Sequence, residues 1–292
     1  MATIGLVTVL FNSDDVLEDF FASITRQTYK EYILYLVDNS PGERSDAFIQ
    51  RCLEKYPIPN YLHIKNTENK GVAAGNNTGI KKAIEDKCTH VLLLNNDIVI
   101  EQDDVFQKLI QLAGKENIIT PKILFYNDRK IWTAGGYLDK FRGLGVAYGM
   151  GKDDTEKFNI SKYVSSESTC FMLINVEVFA AVGLMDENYF LYVDDTDFVY
   201  RATKKGYKVL YAPSIVILHK VSHSSGGTQT PFYVYYGNRN KIYFIRKNFK
   251  GIHKFISLSY VMLSRVYFYF KMDRPKKKML IKGIRDGFRL SY

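Results

Sequence analysis

The sequence is poor in cysteine. Cys52, Cys88 and Cys170 are far apart, with no CxxC and no Cys/His zinc spacing. That argues against a disulfide framework and against a zinc ribbon, and it fits a reducing, cytosolic setting. A basic region ahead of an apolar run is missing from the N-terminus, which opens on the β-like stretch Thr3 to Phe11, so no signal peptide is expected. A clean membrane span is missing too. The longest apolar stretch, Phe255 to Phe270, is broken by Arg265 and mixed with Ser and Tyr. A spanning helix needs about 18 or more apolar residues, so this segment reads as amphipathic or interfacial. Acids are scarce in the last third. From Arg201 to Tyr292 there are 20 Lys/Arg against only Asp273 and Asp286, a net +18, which leaves residues 1–200 at −9 within an overall +9. A uniformly basic nucleic-acid binder does not divide its charge this way. Internal repeats, low-complexity tracts, a Walker loop and a GxGxxG are likewise absent.

What is present suits a folded enzyme. At 292 residues, with 46% apolar and 24% charged, the chain has material for one large domain or one domain plus an appendage. Strand and helix patterns alternate through the first hundred residues. Ile4 to Leu10, Tyr32 to Val37, Tyr61 to Lys65 and His90 to Leu94 read as strands. Asp14 to Gln27, Ser45 to Tyr56 and Ala73 to Asp86 read as helices. This order predicts a parallel sheet with helices on both faces, which binds ligands beyond the carboxyl ends of its strands. Asn12, Asp38, Asn66 to Gly71 and Asn95 to Asp97 all fall at such ends. The glycines between Gly135 and Gly151 mark a turn-rich middle. Asn175 to Val182 and Asp194 to Lys205 read as helices, and Tyr207 to Tyr211 and Ile215 to Leu218 as short strands. Beyond Pro231 the pattern is helical, aromatic and basic.

Four segments carry chemistry. Asn95-Asn96-Asp97, after a buried strand, offers a carboxylate and an amide oxygen to a hard divalent cation; its plain alternative is an Asn/Asp turn. Asn69 to Gly79 has glycines that admit a close backbone approach and leads into a helix N-terminus that favours anions; otherwise it is only a loop and a glycine-softened helix. Asp194, Asp195 and Asp197 open a helix, either as caps that suit its dipole or with Asp195 as a general base. His219 ends a strand, and His223 follows in Val221-Ser-His-Ser-Ser-Gly226. A histidine there is a structural hydrogen-bonder unless it completes the metal site at Asp97.

Together the segments resemble family 2 glycosyltransferases of the inverting, GT-A fold type, and especially rhamnosyltransferase-like bacterial members. The resembling pieces are Val7 to Asn12, Val37 to Ser40, Asn69 to Gly79, Leu93 to Asp97, Val182 to Glu187, Tyr192 to Phe198 and Leu218-His219, within about residues 3–225. The resemblance implies an α/β GT-A fold, a mostly parallel Rossmann-like sheet flanked by helices, with a helical C-terminal extension. It divides the chain into a catalytic domain, 1–230, with its nucleotide-sugar half near 1–100 and its acceptor half near 101–230, and an extension, 231–292. It implies that Asn12, Asp38, Lys70, Gly71 and Asn96 bind the donor. Asp97, Asn95 and His219 would hold Mn²⁺ or Mg²⁺, with Asn95 replacing the first carboxylate of a strict Asp-x-Asp. Asp195 would be the general base, and Asp194 stands where the family often has Glu. The implied reaction moves a sugar from a UDP- or dTDP-sugar, dTDP-rhamnose among them, to a glycan or lipid-linked glycan in cell-surface polysaccharide assembly.

The basic, aromatic tail points to peripheral attachment to an anionic membrane, on the inner face of the plasma membrane, with aromatics packed on the catalytic domain and solvated charges as its plain alternative; the acidic body argues against nucleic-acid binding. Two other readings have less support. A nucleotidyltransferase would need a glycine- and arginine-rich loop after the first strand, where this chain has Phe11-Asn12-Ser13-Asp14. A catalytically dead membrane module would not need Asp97, Asp195 and His219 together.

Overall fold

The computed structural model describes residues 2–42, 44–221 and 230–292. The first half follows the alternating pattern: β1 (Ile4–Leu10), α1 (Asp14–Thr25), β2 (Tyr32–Asp38), α2 (Arg44–Lys55), β3 (Tyr61–Lys65), α3 (Val72–Glu85) and β4 (His90–Leu94). Strands β1, β2 and β4 are runs of Val, Ile and Leu buried on both faces, the mark of a sheet covered by helices. α1 covers one face with Val16, Leu17, Phe20, Phe21 and Ile24. α3 covers the other with small residues. A Cβ on Gly79 would fall 2.4 Å from a Val7 methyl, and one on Gly75 would fall 2.8 Å from Val9. These two glycines therefore exist for close packing of α3 on β1, and not for the approach of a ligand.

The middle is more regular than its glycines suggest. It holds β5 (Ile98–Val99), α4 (Val105–Ala113), β6 (Ile118–Phe125), β7 (Ile131–Thr133), β8 (Gly136–Asp139), β9 (Leu144–Ala147), β10 (Lys162–Val164), β11 (Phe171–Asn175), α5 (Val176–Val182) and α6 (Asp194–Lys204). The two short strands expected at 207–218 are one strand, β12 (Val209–His219), whose pairing with β6 shifts register between Ala212 and Val216. Pro213 lies inside that irregularity, where its missing N–H costs no ladder bond.

The main path of the sheet runs β10-β12-β6-β11-β4-β1-β2-β3. β1 to β4 are mutually parallel in their pairs, and β6 pairs parallel with β12. β11 is antiparallel to both β4 and β6. The carboxyl ends of β1, β2, β4 and β12 thus share one rim, and the N-terminal lead into β11 joins them there. Three helices complete the described chain: α7 (Pro231–Asn248), α8 (Gly251–Lys271) and α9 (Arg274–Arg289). α7 buries Ile242, Tyr243, Phe244 and Ile245 against Tyr189 and Tyr200. Among the described residues, no helix is long and apolar enough to cross a membrane.

Candidate active site

Asp97 follows β4 by three residues and His219 ends β12. The antiparallel pairing of His219 with Ile98 brings them together. His219 Nε2 lies 3.1 Å from Asp97 Oδ1, with both side chains buried. Burial disfavours charge on the imidazole, but the Cys170 sulfur and the Asp97 carboxylate act the other way and lift its pKa to about 10. The Cys170 thiol is itself pushed up by burial, so at neutral pH the charge that His219 meets is the Asp97 carboxylate. Once the imidazole releases its proton in favour of an entering cation, the carboxylate and imidazole at this distance form a donor pair that suits Mn²⁺ or Mg²⁺, and the residues fit the cation that the resemblance implies. Asn95 is exposed beside them. Asn96 is buried and differently engaged: its amide donates to the Val9 carbonyl at 2.9 Å and to Ser13 Oγ at 3.1 Å, tying the end of β4 to the end of β1.

The acid triplet divides into roles. Asp197 is fully buried and structural; it accepts from Arg201 at 2.8 Å, Lys247 at 2.9 Å and Asn248 at 2.7 Å. Asp194 and Asp195 are both held above the ordinary carboxylate range, first by burial. Asp195 keeps donors to its charged form: the Thr196 N–H at 2.6 Å, the Thr196 hydroxyl at 3.2 Å and the Ser168 hydroxyl. Asp194 is pushed up by burial and by the neighbouring Asp195 charge. The two carboxyls therefore titrate as a pair, and Asp195 is the member whose charged form accepts from side-chain hydroxyls. The backbone before them is strained. Tyr192 and Val193 have φ of 70° and 71°, a costly conformation for a β-branched residue. Asn240 of α7 holds this turn by donating to the carbonyls of Leu191 at 2.7 Å and Tyr192 at 2.9 Å.

Glu167 was not singled out in the sequence. It lies on the lead into β11, fully buried, and accepts from the Thr133 hydroxyl at 3.0 Å and the Ser168 N–H at 2.9 Å. Burial pushes its pKa up to about 7. Glu167 and Asp195 line one cavity of about 130 Å³ with Trp132, Ser166 and Thr196. Trp132 stands edge-on to His219, with ring centroids 4.7 Å apart, so this cavity adjoins the Asp97 pair. The β8–β9 hairpin closes over it, and Gly145 leaves no room for a side chain: a Cβ there would lie 2.1 Å from Ser166 Oγ.

On the other side of the rim, Asp38 is buried. It accepts from the Ser40 N–H at 2.8 Å and the Ser45 hydroxyl at 2.5 Å, and His63 Nε2 lies 3.5 Å away. Burial would raise its pKa, but these hydrogen bonds outweigh burial and hold it well below the carboxylate range. The ligand atoms of Asp38, Asp46 and His63 come within 4.8 Å of one another. Two serines already serve Asp38 and Lys65 pairs with Asp46, so this cluster is committed internally. Asn12 is exposed, with φ of 50°, and its N–H donates to Ser40 Oγ at 2.9 Å. Gly71 is buried against Phe190, and Lys70 is exposed in an ion pair with Glu68 at 3.0 Å. The rim therefore collects Asn12, Asp38, Gly71, Asn95, Asp97 and His219, with Asp195 reached through the Trp132 cavity. His223 lies outside the described residues.

The glycosyl transferase family 2 model matches residues 6–183. The chain belongs to that family. The matched stretch includes Asp38, Gly71, Asp97 and Glu167 and ends before Asp194, Asp195 and His219. Two relatives extend further. The low-salt glycan biosynthesis hexosyltransferase Agl10 of Haloferax volcanii is 24% identical over 244 residues, covering 82% of this chain and 74% of its own. The dTDP-rhamnosyl transferase RfbF of Shigella flexneri is 26% identical over 241 residues, covering 76% and 78%. The fold matches the mannosyltransferase PcManGT of Pyrobaculum calidifontis, solved with GDP-Man and Mn²⁺, with a TM-score of 0.60 at 12% identity over 97% of this chain and 73% of that one. The family 2 chain thus has the expected GT-A architecture: a largely parallel sheet flanked by helices, with C-terminal helices following.

Proposed function

We propose that this chain is a metal-assisted, inverting glycosyltransferase. It takes a UDP- or dTDP-sugar and glycosylates a hydroxyl of a glycan or lipid-linked glycan in polysaccharide assembly. The observation that carries the reading is the convergence at one rim of a carboxylate–imidazole pair, Asp97 and His219, with an acid, Asp195, whose charged form is hydrogen-bonded. The rhamnosyl and hexosyl activities named for the two relatives support the substrate class.

Asp97 and His219, with Asn95 beside them, would hold Mn²⁺ or Mg²⁺, which offsets the charge that develops on a departing nucleoside diphosphate. Asp38, buried and ionised, would shape the nucleoside-base pocket by fixing Ser40 and Ser45 at its floor. Gly71, with Lys70 on the surface beside it, borders the space for ribose and phosphates. Asn96 acts indirectly, by holding the β4 end that carries Asp97. Asp195 accepts the proton of the acceptor hydroxyl, and burial, together with its pairing with Asp194, raises its basicity for that step. One displacement on the face opposite the diphosphate inverts the anomeric carbon without a covalent intermediate.

Residues 1–230 would form the catalytic unit, with 231–292 as an extension whose first helix, α7, braces the Asp194 turn through Asn240. The extension would attach the enzyme peripherally to an anionic membrane, where a lipid-linked acceptor resides. The test is a panel of UDP- and dTDP-sugars with Mn²⁺ or Mg²⁺, scored by release of nucleoside diphosphate. Release with one of these donors, abolished by chelation and by Asp97→Ala, supports the reading; release that persists in Asp97→Ala contradicts the metal assignment.

A further inference from the structure

A second cavity, of about 560 Å³, lies at the far end of α6 from Asp195. Eleven helical residues put it about 15 Å from the acid turn. It opens between the last turn of α6, the α7–α8 junction and the β8–β9 turn. Six Lys/Arg side chains line it: Lys140, Arg201, Lys204, Lys205, Lys247 and Lys250, with His253 beside them and no carboxylate among the described lining residues. Arg201 and Lys247 are engaged with Asp197 and Asp186. The remaining cations are exposed. The α6 dipole accounts for Lys204 and Lys205 in its last turn. It does not account for Lys140 or Lys250, nor for the concave shape.

The rim of this cavity continues into an unusual helix face. α8 begins there, with Lys250 before its first turn. Its inward side carries the buried Ser257 and Val261. Its outward side carries Ile252 (65% exposed), Phe255 (69%), Leu263 (72%), Val266 (58%) and Phe270 (75%). These positions recur at helical spacing, so α8 turns its more apolar stripe to solvent, the reverse of a helix that packs on a core. Lys271, Arg274, Lys277 and Lys278 flank its other end. An apolar stripe bordered by basic residues is the signature of a helix lying in a lipid interface.

We propose that the cavity receives the phosphate of an anionic lipid headgroup while the outer stripe of α8 lies among the acyl chains. The inference rests on the membrane attachment proposed above and names its contact surface. Phosphate is the chemistry that this lining recognises, and continuity with the apolar stripe places that phosphate at a bilayer surface rather than on a free solute.

The test uses the full chain and vesicles of phosphatidylcholine, with or without phosphatidylglycerol. Two exposed-site variants are compared: Lys204→Gln/Lys205→Gln/Lys250→Gln in the cavity, and Phe255→Ser/Leu263→Ser/Phe270→Ser on the stripe. Wild type sediments with the phosphatidylglycerol vesicles only. The cavity variant partitions about 100-fold more weakly, from the surface potential acting on three lysines, and the stripe variant weakens as well. Both keep wild-type circular dichroism and wild-type nucleoside diphosphate release in solution. Inorganic phosphate at matched ionic strength does not displace wild type. Sedimentation of the cavity variant equal to wild type overturns the headgroup site and leaves attachment standing. Displacement by inorganic phosphate overturns it in favour of a free anion. Wild type that ignores both vesicles, or binds both equally, overturns the membrane reading as well. None of these outcomes bears on glycosyl transfer, which the release assay reads separately.

Discussion

A Cβ on Gly71 would fall 2.1 Å from the carbonyl oxygen of Phe190, an oxygen that also accepts the Val72 N–H at 2.8 Å. The loop after β3 and the turn that leads to Asp194 and Asp195 therefore touch backbone to backbone. Gly71 itself sits at φ of 93°, in the region that favours glycine. Donor-side and acid-side loops are fixed to each other by a contact that admits no side chain.

Gly71→Ala forces that contact apart. A misplacement of about 1 Å costs about 100-fold in rate, so transfer falls by at least that much. Steady-state rates for the purified variant, with circular dichroism to confirm the fold, check this; activity within a few-fold of wild type contradicts the contact's importance.

Asn240→Ala removes the two hydrogen bonds that hold Leu191 and Tyr192. The strained turn then relaxes from its left-handed geometry, and kcat falls by about tenfold through displacement of Asp195. Stability falls by about 2 kcal/mol. Thermal unfolding and kcat are measured together; an unchanged kcat shows that the turn holds itself.

Glu167→Gln tests the buried carboxyl. Its pKa in the folded chain is about 7, above its ordinary value of 4.5. A raised carboxyl leaves the fold unpenalised below about pH 4.5 and takes stability away as pH rises through 7. Gln can still accept from the Ser168 N–H and donate to Thr133 Oγ1, whose hydroxyl also faces the Gly135 carbonyl at 3.1 Å. The variant is therefore more stable than wild type at pH 8, by about 3 kcal/mol at most, and equal to it at pH 4. Denaturant unfolding at both pH values measures this, and a constant difference between them contradicts it.

The first half of the fold was legible because β1, β2 and β4 are mostly aliphatic, buried runs with Asn or Asp at or just after their ends. Asp97 and His219 were legible for the same reason: each follows an aliphatic run, Val91 to Leu94 and Ile215 to Leu218. Glu167 was not. Its strand, β11, runs antiparallel to β4, so a residue that precedes the strand lands on the rim where other strands end, and periodicity carries no strand direction. Asp197 looked like part of an acid cluster because its partners Lys247 and Asn248 are some fifty residues away. The glycines of α3 suggested a ligand approach, where the structure has the helix packing on Val7 and Val9. Asn240, in the segment set apart as an extension, braces the acid turn, and no local pattern announces a side chain that bonds to distant carbonyls. The charge division was legible, and its meaning is partly internal: Lys247 of the basic tail pairs with Asp186 and Asp197 of the acidic body.

The central claim is that Asp195 takes the acceptor's proton beside a donor held at Asp97 and His219. Asp195→Asn keeps the shape and removes the base. With the donor that the panel identifies, transfer by this variant falls by about 100- to 10,000-fold, while nucleoside diphosphate binding, measured by calorimetry, stays at the wild-type value. Wild-type transfer by Asp195→Asn would contradict the account.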